Sequence, residues 1–208
     1  MSKKKIILIS FTVVIAAVLA GGISYLIRSG IVSINLGRTA YKDPLTGNVI
    51  SQGEFENKTA AQLYDDAVEY NKKGDYKNAA AFLNEAMKKD NNDGNVDVLR
   101  ELAVSYYNIK NYDEAIAIYN KIIKISPNDA AAYNELGNVY RDKGDTGQAE
   151  DSYKKAIEVD DTYILAYNNL AMIYVEKNDM GAARSVIQDG LSKNQNNVQL
   201  ESILKSLQ

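Results

Sequence analysis

A tyrosine recurs through most of this chain at intervals close to 34 residues. The four positions are Tyr70, Tyr106, Tyr140 and Tyr174, separated by 36, 34 and 34 residues. Nine residues after each tyrosine comes an alanine, and four residues after that comes a large apolar side chain; these are Ala79, Ala115, Ala149 and Ala183, then Leu83, Tyr119, Tyr153 and Ile187. A period of this length predicts stacked copies of one supersecondary unit, each covering the apolar face of its neighbour. Stacked repeats favour a protein that holds other molecules.

The segment 130–163 shows the pattern most fully. Its first half places Tyr133, Gly137 and Tyr140 at spacings of four and three residues, which line one face of a helix. Its second half spaces Ala149, Tyr153 and Ala156 in the same way. The small residues allow two helices to approach closely while the tyrosines fill the gaps. Each repeat is therefore predicted to be a helical hairpin.

These motifs resemble the tetratricopeptide repeat, in which an aromatic, Leu-Gly, Tyr, Ala, a second aromatic and Ala occupy fixed positions. The resemblance implies an all-α fold, a right-handed superhelical stack of four hairpins with a C-terminal capping helix. The predicted domains are the repeats 60–93, 96–129, 130–163 and 164–197, together 60–197, and the capping helix 198–208. Gly94 and Asn95 are an insertion between the first two repeats. Asp66 replaces the usual leucine, and Gly190 replaces the usual alanine.

The turn within each repeat needs a residue in the left-handed conformation. Gly74 and Gly144 adopt it at no steric cost, and Asn178 adopts it at a modest cost. Lys110 fits this position poorly, so Asn111 is expected to take the left-handed conformation in the second repeat.

The amino terminus predicts a membrane anchor. A basic tail, 1–5, precedes an uncharged apolar run over 6–27, which as a helix spans about 33 Å and covers a hydrocarbon core of roughly 30 Å. We therefore predict a transmembrane signal anchor over 6–28. A signal peptide cleaved after Ala20 is the alternative, but the apolar run is longer than a typical signal core.

The lysines of the basic tail predict a cytoplasmic amino terminus. The protein is then single-pass in the plasma (inner) membrane of a bacterial-type cell, with the repeats outside the cytoplasm. Residues 29–59 carry glycines and a turn signal but no helical period, so they are predicted to be a spacer. Thr59 is the expected N-cap of the first repeat helix, with Gln62 completing a capping box.

The composition excludes several classes of function. The chain has no cysteine and no histidine, so thiolate nucleophiles, Cys/His zinc sites and imidazole catalysis are impossible. Residues 60–208 hold 17 basic against 24 acidic side chains, a balance of −7, which argues against nucleic acid as a partner. Paired carboxylates lie on an early helix, near helix starts or in turns, where solvation and the helix dipole explain them. We predict no enzyme activity, no cofactor and no metal site.

The resemblance implies a concave groove lined by the first helix of every repeat. The candidate partner-binding residues are Tyr64, Asn71, Arg100, Tyr107, Asn134, Asn138, Arg141, Asn168 and Met172. Asparagine amides both donate and accept, so Asn134, Asn138 and Asn168 are predicted to bind the backbone of an extended peptide. The carboxylate clamp of some family members is absent, because Tyr64 and Glu101 stand where the clamp has lysine and asparagine.

Two functions remain open at this point. The first is a membrane-tethered adaptor or assembly factor that binds a protein or peptide partner within an envelope or membrane complex. The second is a structural scaffold that forms homo-oligomers through its repeat faces and has no dedicated peptide ligand. Polar side chains along a groove do not decide between them, since solvated positions need no ligand.

Overall fold

The structure is a computed structural model that describes residues 40–42, 49–51, 53–90 and 94–207. These ranges contain two short strands and ten helices. In chain order they are β1 Ala40–Lys42, β2 Val49–Ser51, α1 Gly53–Glu56, α2 Ala60–Lys72, α3 Tyr76–Asp90, α4 Val96–Asn108, α5 Tyr112–Ile125, α6 Ala130–Lys143, α7 Thr146–Val159, α8 Ile164–Glu176, α9 Met180–Lys193 and α10 Val198–Ser206. None of the helices in these ranges combines the length and apolar character of a membrane span. The predicted tail 1–5 and anchor 6–28 lie outside the described residues.

Helices α2 to α9 form four consecutive hairpins, and each helix packs against the next one along the chain. The first helices of neighbouring hairpins also touch, α2 against α4 and α6 against α8. Helix α10 packs against α9 and reaches α8, at the end of the stack. The predicted all-α stack of helical hairpins is confirmed, while its right-handed superhelical sense stays a prediction.

The repeating residues form the core of the stack. The four periodic alanines and the four apolar residues that follow them are buried; they are Ala79, Ala115, Ala149, Ala183, Leu83, Tyr119, Tyr153 and Ile187. Tyr106 is buried too, whereas Tyr70, Tyr140 and Tyr174 are half-buried against the core. A Cβ added at Gly137 would stand 2.5 Å from Cε1 of Tyr153. That close approach is why the tyrosine needs a glycine on the facing helix.

Four turns within the hairpins use a left-handed residue. Gly74, Gly144 and Asn178 have φ of 76°, 94° and 64°, as predicted. In the second hairpin the left-handed residue is Lys110, with φ of 64°, and the prediction of Asn111 was wrong. The position is set by the helix end, because the amide of the left-handed residue must donate to the carbonyl three residues earlier.

The carboxyl end of the predicted spacer 29–59 packs on the first hairpin. Phe55 of α1 is buried, with its ring centroid 5.0 Å from that of Phe82 on α3. The ammonium of Lys89 donates to the backbone oxygens of Phe55 and Lys58, the latter at 2.7 Å. Residues 53–58 therefore extend the first hairpin and are no free linker. Strands β1 and β2 form an antiparallel pair earlier in the spacer segment.

The first repeat begins as predicted. The amide of Gln62 donates to Oγ1 of Thr59 at 3.2 Å, and Oε1 of Gln62 accepts from the amide of Thr59 at 2.9 Å. This is the expected capping box. Asp66, which replaces a leucine of the repeat pattern, forms an ion pair with Lys58 at 2.6 Å. The charge is tolerated because the end hairpin exposes this side to water.

Candidate partner-binding groove

The candidate residues lie on the first helix of each hairpin, so their side chains form a row across α2, α4, α6 and α8. We call this row the groove. Tyr64 and Asn71 lie on α2, Arg100 and Tyr107 on α4, Asn134, Asn138 and Arg141 on α6, and Asn168 and Met172 on α8. Their burial and hydrogen bonding differ along the row, and this decides which of them a partner can reach.

Asn71 joins the first two helices of the groove. Its side-chain nitrogen donates to Oε2 of Glu101 at 2.7 Å, and its side-chain oxygen accepts from the hydroxyl of Ser105 at 2.8 Å. Both partners lie on α4, and Ser105 is buried. The amide of Asn71 therefore stabilises the packing of α2 on α4, and little of its bonding capacity remains for a ligand.

Asn134 and Asn138 have the same role between α6 and α8. Asn134 is only 1% exposed, and its oxygen accepts from the amide nitrogen of Asn169 at 2.8 Å. The oxygen of Asn138 accepts from the amide nitrogen of Asn169 at 3.3 Å and from the hydroxyl of Tyr153 on α7 at 2.8 Å. Both amide nitrogens donate to the carboxylate of Glu135. These groups are used within the stack, in contrast to the predicted ladder for a peptide backbone.

Asn169 completes this network and was missed at the sequence level. It follows Asn168 directly, and only one of two adjacent residues on a helix can face the same neighbour. Asn169 faces α6 and bonds Asn134, whereas Asn168 is half-buried and its side chain makes no hydrogen bond within the described ranges. The 35-residue separation of Asn134 from Asn169, close to one repeat, was the available signal.

The charged candidates in the middle of the groove are paired within the chain. Arg100 contacts Oδ2 of Asp129 at 2.6 Å, and Arg141 contacts Oδ1 of Asp142 at 3.0 Å. The hydroxyl of Tyr107 donates to the same Asp142 carboxylate. Burial, followed by this hydrogen bond, raises the pKa of Tyr107 to about 12. The centre of the groove is thus a set of satisfied polar pairs.

Helix α8 differs from the other groove helices because it is apolar on two faces. One face is buried in the stack through Tyr167, Leu170, Ala171 and Ile173. The groove face exposes Leu165, Met172 and Val175, at 47%, 44% and 38%. We call these three residues the α8 stripe. A helix with apolar residues on both of these faces is normally covered on both.

An open pocket lies at the other end of the groove, between α2, the end of α3 and the start of α4. Its volume is about 270 Å³. The lining residues are Ala60, Ala61, Tyr64, Ala86, Met87, Asp90, Asn95, Asp97 and Val98. We call this the amino-terminal pocket. Tyr64 is the one predicted site residue among those that line it.

Three tetratricopeptide-repeat family models match the chain, over residues 70–137, 137–178 and 164–197. Among solved structures, a MamA protein superposes with a TM-score of 0.59 at 22% identity, covering 71% of this chain and 80% of that one. The pilF protein of Pseudomonas aeruginosa superposes with a TM-score of 0.58 at 18% identity, covering 71% of this chain and 67% of that one. At these identities the likeness concerns the fold alone.

One curated protein is related in sequence. The rhomboid protease GluP of Bacillus subtilis (strain 168) is 35% identical over 82 residues, which are 39% of this chain and 16% of that protein. The chain thus spans less than a fifth of the relative that it matches. The family models, in contrast, follow one another without a gap and agree with the hairpins of the structure. Residues 70–197 of this chain are therefore tetratricopeptide repeats.

Proposed function

We propose that this chain is a non-enzymatic protein–protein interaction module, tethered to a membrane through residues 6–28. It acts as an adaptor or assembly factor that holds a protein partner of a membrane or envelope complex. The repeat architecture supports an interaction role, and the uncharged segment 6–27 supports the tether. The protease activity of the Bacillus relative is not carried over, because the match covers only 16% of it.

The α8 stripe is the observation that carries this proposal. Leu165, Met172 and Val175 are exposed on a helix whose opposite face already fills the core. Covering side chains of this kind contributes on the order of 1 kcal/mol each. The polar groups further along the groove are satisfied within the chain, so the stripe offers the larger gain from partner contact. We propose that an apolar segment of the partner lies on α8.

Substitution of the stripe tests the proposal. The double variant Leu165→Glu with Met172→Glu places two charges on the exposed face, and exposed substitutions change folding stability by about 0.5 kcal/mol or less each. Recovery of the membrane partner after crosslinking in native membranes is expected to fall at least about tenfold. The matched control is Val198→Glu, another exposed apolar residue, 77% exposed at the start of α10. Equal recovery by the double variant and the control would contradict the proposal.

A self-associating scaffold is the second candidate, because the same stripe can be covered by a second copy of the chain. The molar mass of the full chain in detergent micelles, measured by light scattering, distinguishes the adaptor from the scaffold. The adaptor predicts a monomer whose mass is unchanged by Met172→Glu. A dimer or larger species that dissociates on this substitution would favour the scaffold.

We propose the tether and its orientation because the amino terminus has a basic tail followed by an apolar run. Protease added to intact spheroplasts is expected to digest the repeats if they lie outside the cytoplasm. Full protection of the repeats before lysis, with digestion after it, would place them inside and overturn this orientation.

A further inference from the structure

The lining of the amino-terminal pocket combines apolar side chains with carboxylates. Ala86, Met87 and Val98 contribute apolar lining, and Tyr64 contributes an aromatic ring. Asp90 at the end of α3 and Asp97 at the start of α4 also line it. The volume of about 270 Å³ is slightly below the range of roughly 300–1,000 Å³ that small-molecule sites occupy. A pocket of this volume can hold one long side chain.

The charges around this pocket are negative and available. Neither Asp90 nor Asp97 forms an ion pair or a side-chain hydrogen bond within the part of the chain that the structure describes. Burial, followed by the charges of Glu101 and Asp97, raises the pKa of Tyr64. The carboxylate of Asp97 is thus close enough to act on the phenol of Tyr64. This contrasts with the middle of the groove, where the charged side chains are paired.

We infer that the amino-terminal pocket binds a basic side chain of the partner, with arginine preferred over lysine, an inference that rests on the proposed interaction function. The aliphatic stem would contact Met87 and Val98, as long cationic side chains commonly do on apolar surface. The planar guanidinium can stack on Tyr64 and donate to Asp97, which a lysine ammonium does less well. The partner segment is therefore one that carries an arginine at the first hairpin and apolar residues at α8.

A pair of small probes tests the charge requirement. N-acetyl-L-arginine amide and N-acetyl-L-citrulline amide have nearly the same shape, but only the first is charged. Each is titrated into the isotope-labelled full chain in detergent micelles, and the backbone amide shifts of Ala61, Asp97 and Val98 are followed. The arginine probe is expected to bind at least about threefold more tightly, as a single exposed ion pair allows. Raising the salt to 0.5 M should reduce the difference, because exposed charges are screened.

Two variants test whether the preference for the arginine probe arises in the amino-terminal pocket. Asp97→Asn should abolish the preference for arginine over citrulline, while Asp151→Asn, an exposed carboxylate on the outer helix α7, should leave it unchanged. Equal affinity for the two probes, no shift with either probe, or a preference that survives Asp97→Asn would each overturn the inference.

The stripe variants separate this inference from the proposed function. Leu165→Glu with Met172→Glu should keep the arginine preference while losing the membrane partner. If the probes show no preference but partner recovery still depends on the stripe, the pocket assignment fails and the interaction function stands. If the arginine preference is present but partner recovery is unchanged by the stripe substitutions, the proposed function fails and the pocket assignment stands.

Discussion

The ring of Tyr167 on α8 lies directly over Gly190 on α9, so that a Cβ added at Gly190 would stand 2.8 Å from Cγ of the ring. The same Cβ would lie 3.2 Å from Cδ1 of Leu200 on α10. Alanine is usual at this position of the repeat. The glycine here is a consequence of the tyrosine and of the helix that closes the stack.

Gly190→Ala is therefore expected to destabilise the protein, although alanine is the better helix former by about 1 kcal/mol. Overpacking of this kind costs about 1–3 kcal/mol. The measurement is the midpoint of urea unfolding of the full chain. Gly181→Ala on the same helix is the control, since its Cβ would meet only Oδ1 of Asp179 at 3.4 Å. Equal midpoints for the two variants would show that Tyr167 does not pack on Gly190.

The contact between Asn169 and Asn134 gives a second prediction. Asn169→Ala removes the donor that reaches the oxygen of Asn134, which is 1% exposed. An unsatisfied buried acceptor costs about 1–3 kcal/mol. Thermal unfolding should show a loss of folding stability of this size for Asn169→Ala and a change below about 0.5 kcal/mol for Asn168→Ala. Similar losses for the two neighbours would mean that the network between α6 and α8 is not formed.

This pair of asparagines also shows the limit of prediction from the sequence. The periodic tyrosines and alanines, such as Tyr106 and Ala115, predicted the hairpins because a helix period and a repeat length together determine which residues face inward. The roles of Asn134 and Asn169 depend on how one hairpin meets the next. That contact joins residues 35 positions apart, and no local pattern specifies it. The candidate groove was thus placed on the expected helices, but the periodicity within each helix did not show which of its amides bond inside the stack.

The packing of α1 at the amino-terminal end of the stack was not predicted from the sequence, for a different reason. Helix α1 has four residues, too few to show a helical period. Its attachment through Phe55 and Lys89 is a tertiary contact between residues 34 positions apart. The α8 stripe, in contrast, was visible in part, because Met172 was predicted to lie in the groove. Leu165 was not among the predicted groove residues.

The left-handed conformation of Lys110 predicts a stabilising substitution. A non-glycine residue at φ of 64° is strained by roughly 1–2 kcal/mol. Glycine relieves this strain, but part of the gain in stability is lost because glycine is more flexible in the unfolded chain. Lys110→Gly should raise stability by about 0.5–1 kcal/mol in urea unfolding. Lys124→Gly, within α5, should lower it by about 1 kcal/mol. A loss of stability in both variants would contradict the left-handed turn.

The carboxylate of Glu150 on α7 predicts a dependence of stability on pH. It accepts from Lys154 at 2.6 Å, from Lys177 and from the hydroxyl of Tyr174 at 3.0 Å. The hydrogen bonds from Lys154 and Lys177 lower its pKa from 4.5 to about 2. Because the folded pKa is depressed, the stabilisation is complete above pH 4.5 and is lost as the pH falls towards 2.

Glu150→Gln is expected to lower the melting temperature by about 2–4 °C at pH 7. The difference from the unsubstituted protein should shrink between pH 4.5 and 2. Glu158→Gln is the matched control, because Glu158 is 69% exposed and, among the described residues, its one ion pair is with Lys155 on the same helix. A difference for Glu150→Gln that stays constant down to pH 2 would show that its carboxylate is not held in the ion network.

The α8 stripe is tested most directly by a photo-crosslinking amino acid placed at Met172 of the full chain in native membranes. A second site, Asp151 on the outer surface of α7, serves as the control. After irradiation, mass spectrometry identifies the crosslinked proteins. We expect one heterologous membrane or envelope protein to be crosslinked from Met172, to be absent from the Asp151 sample and to be lost with Leu165→Glu. Identical crosslinks from the two sites, or none from Met172, would contradict it.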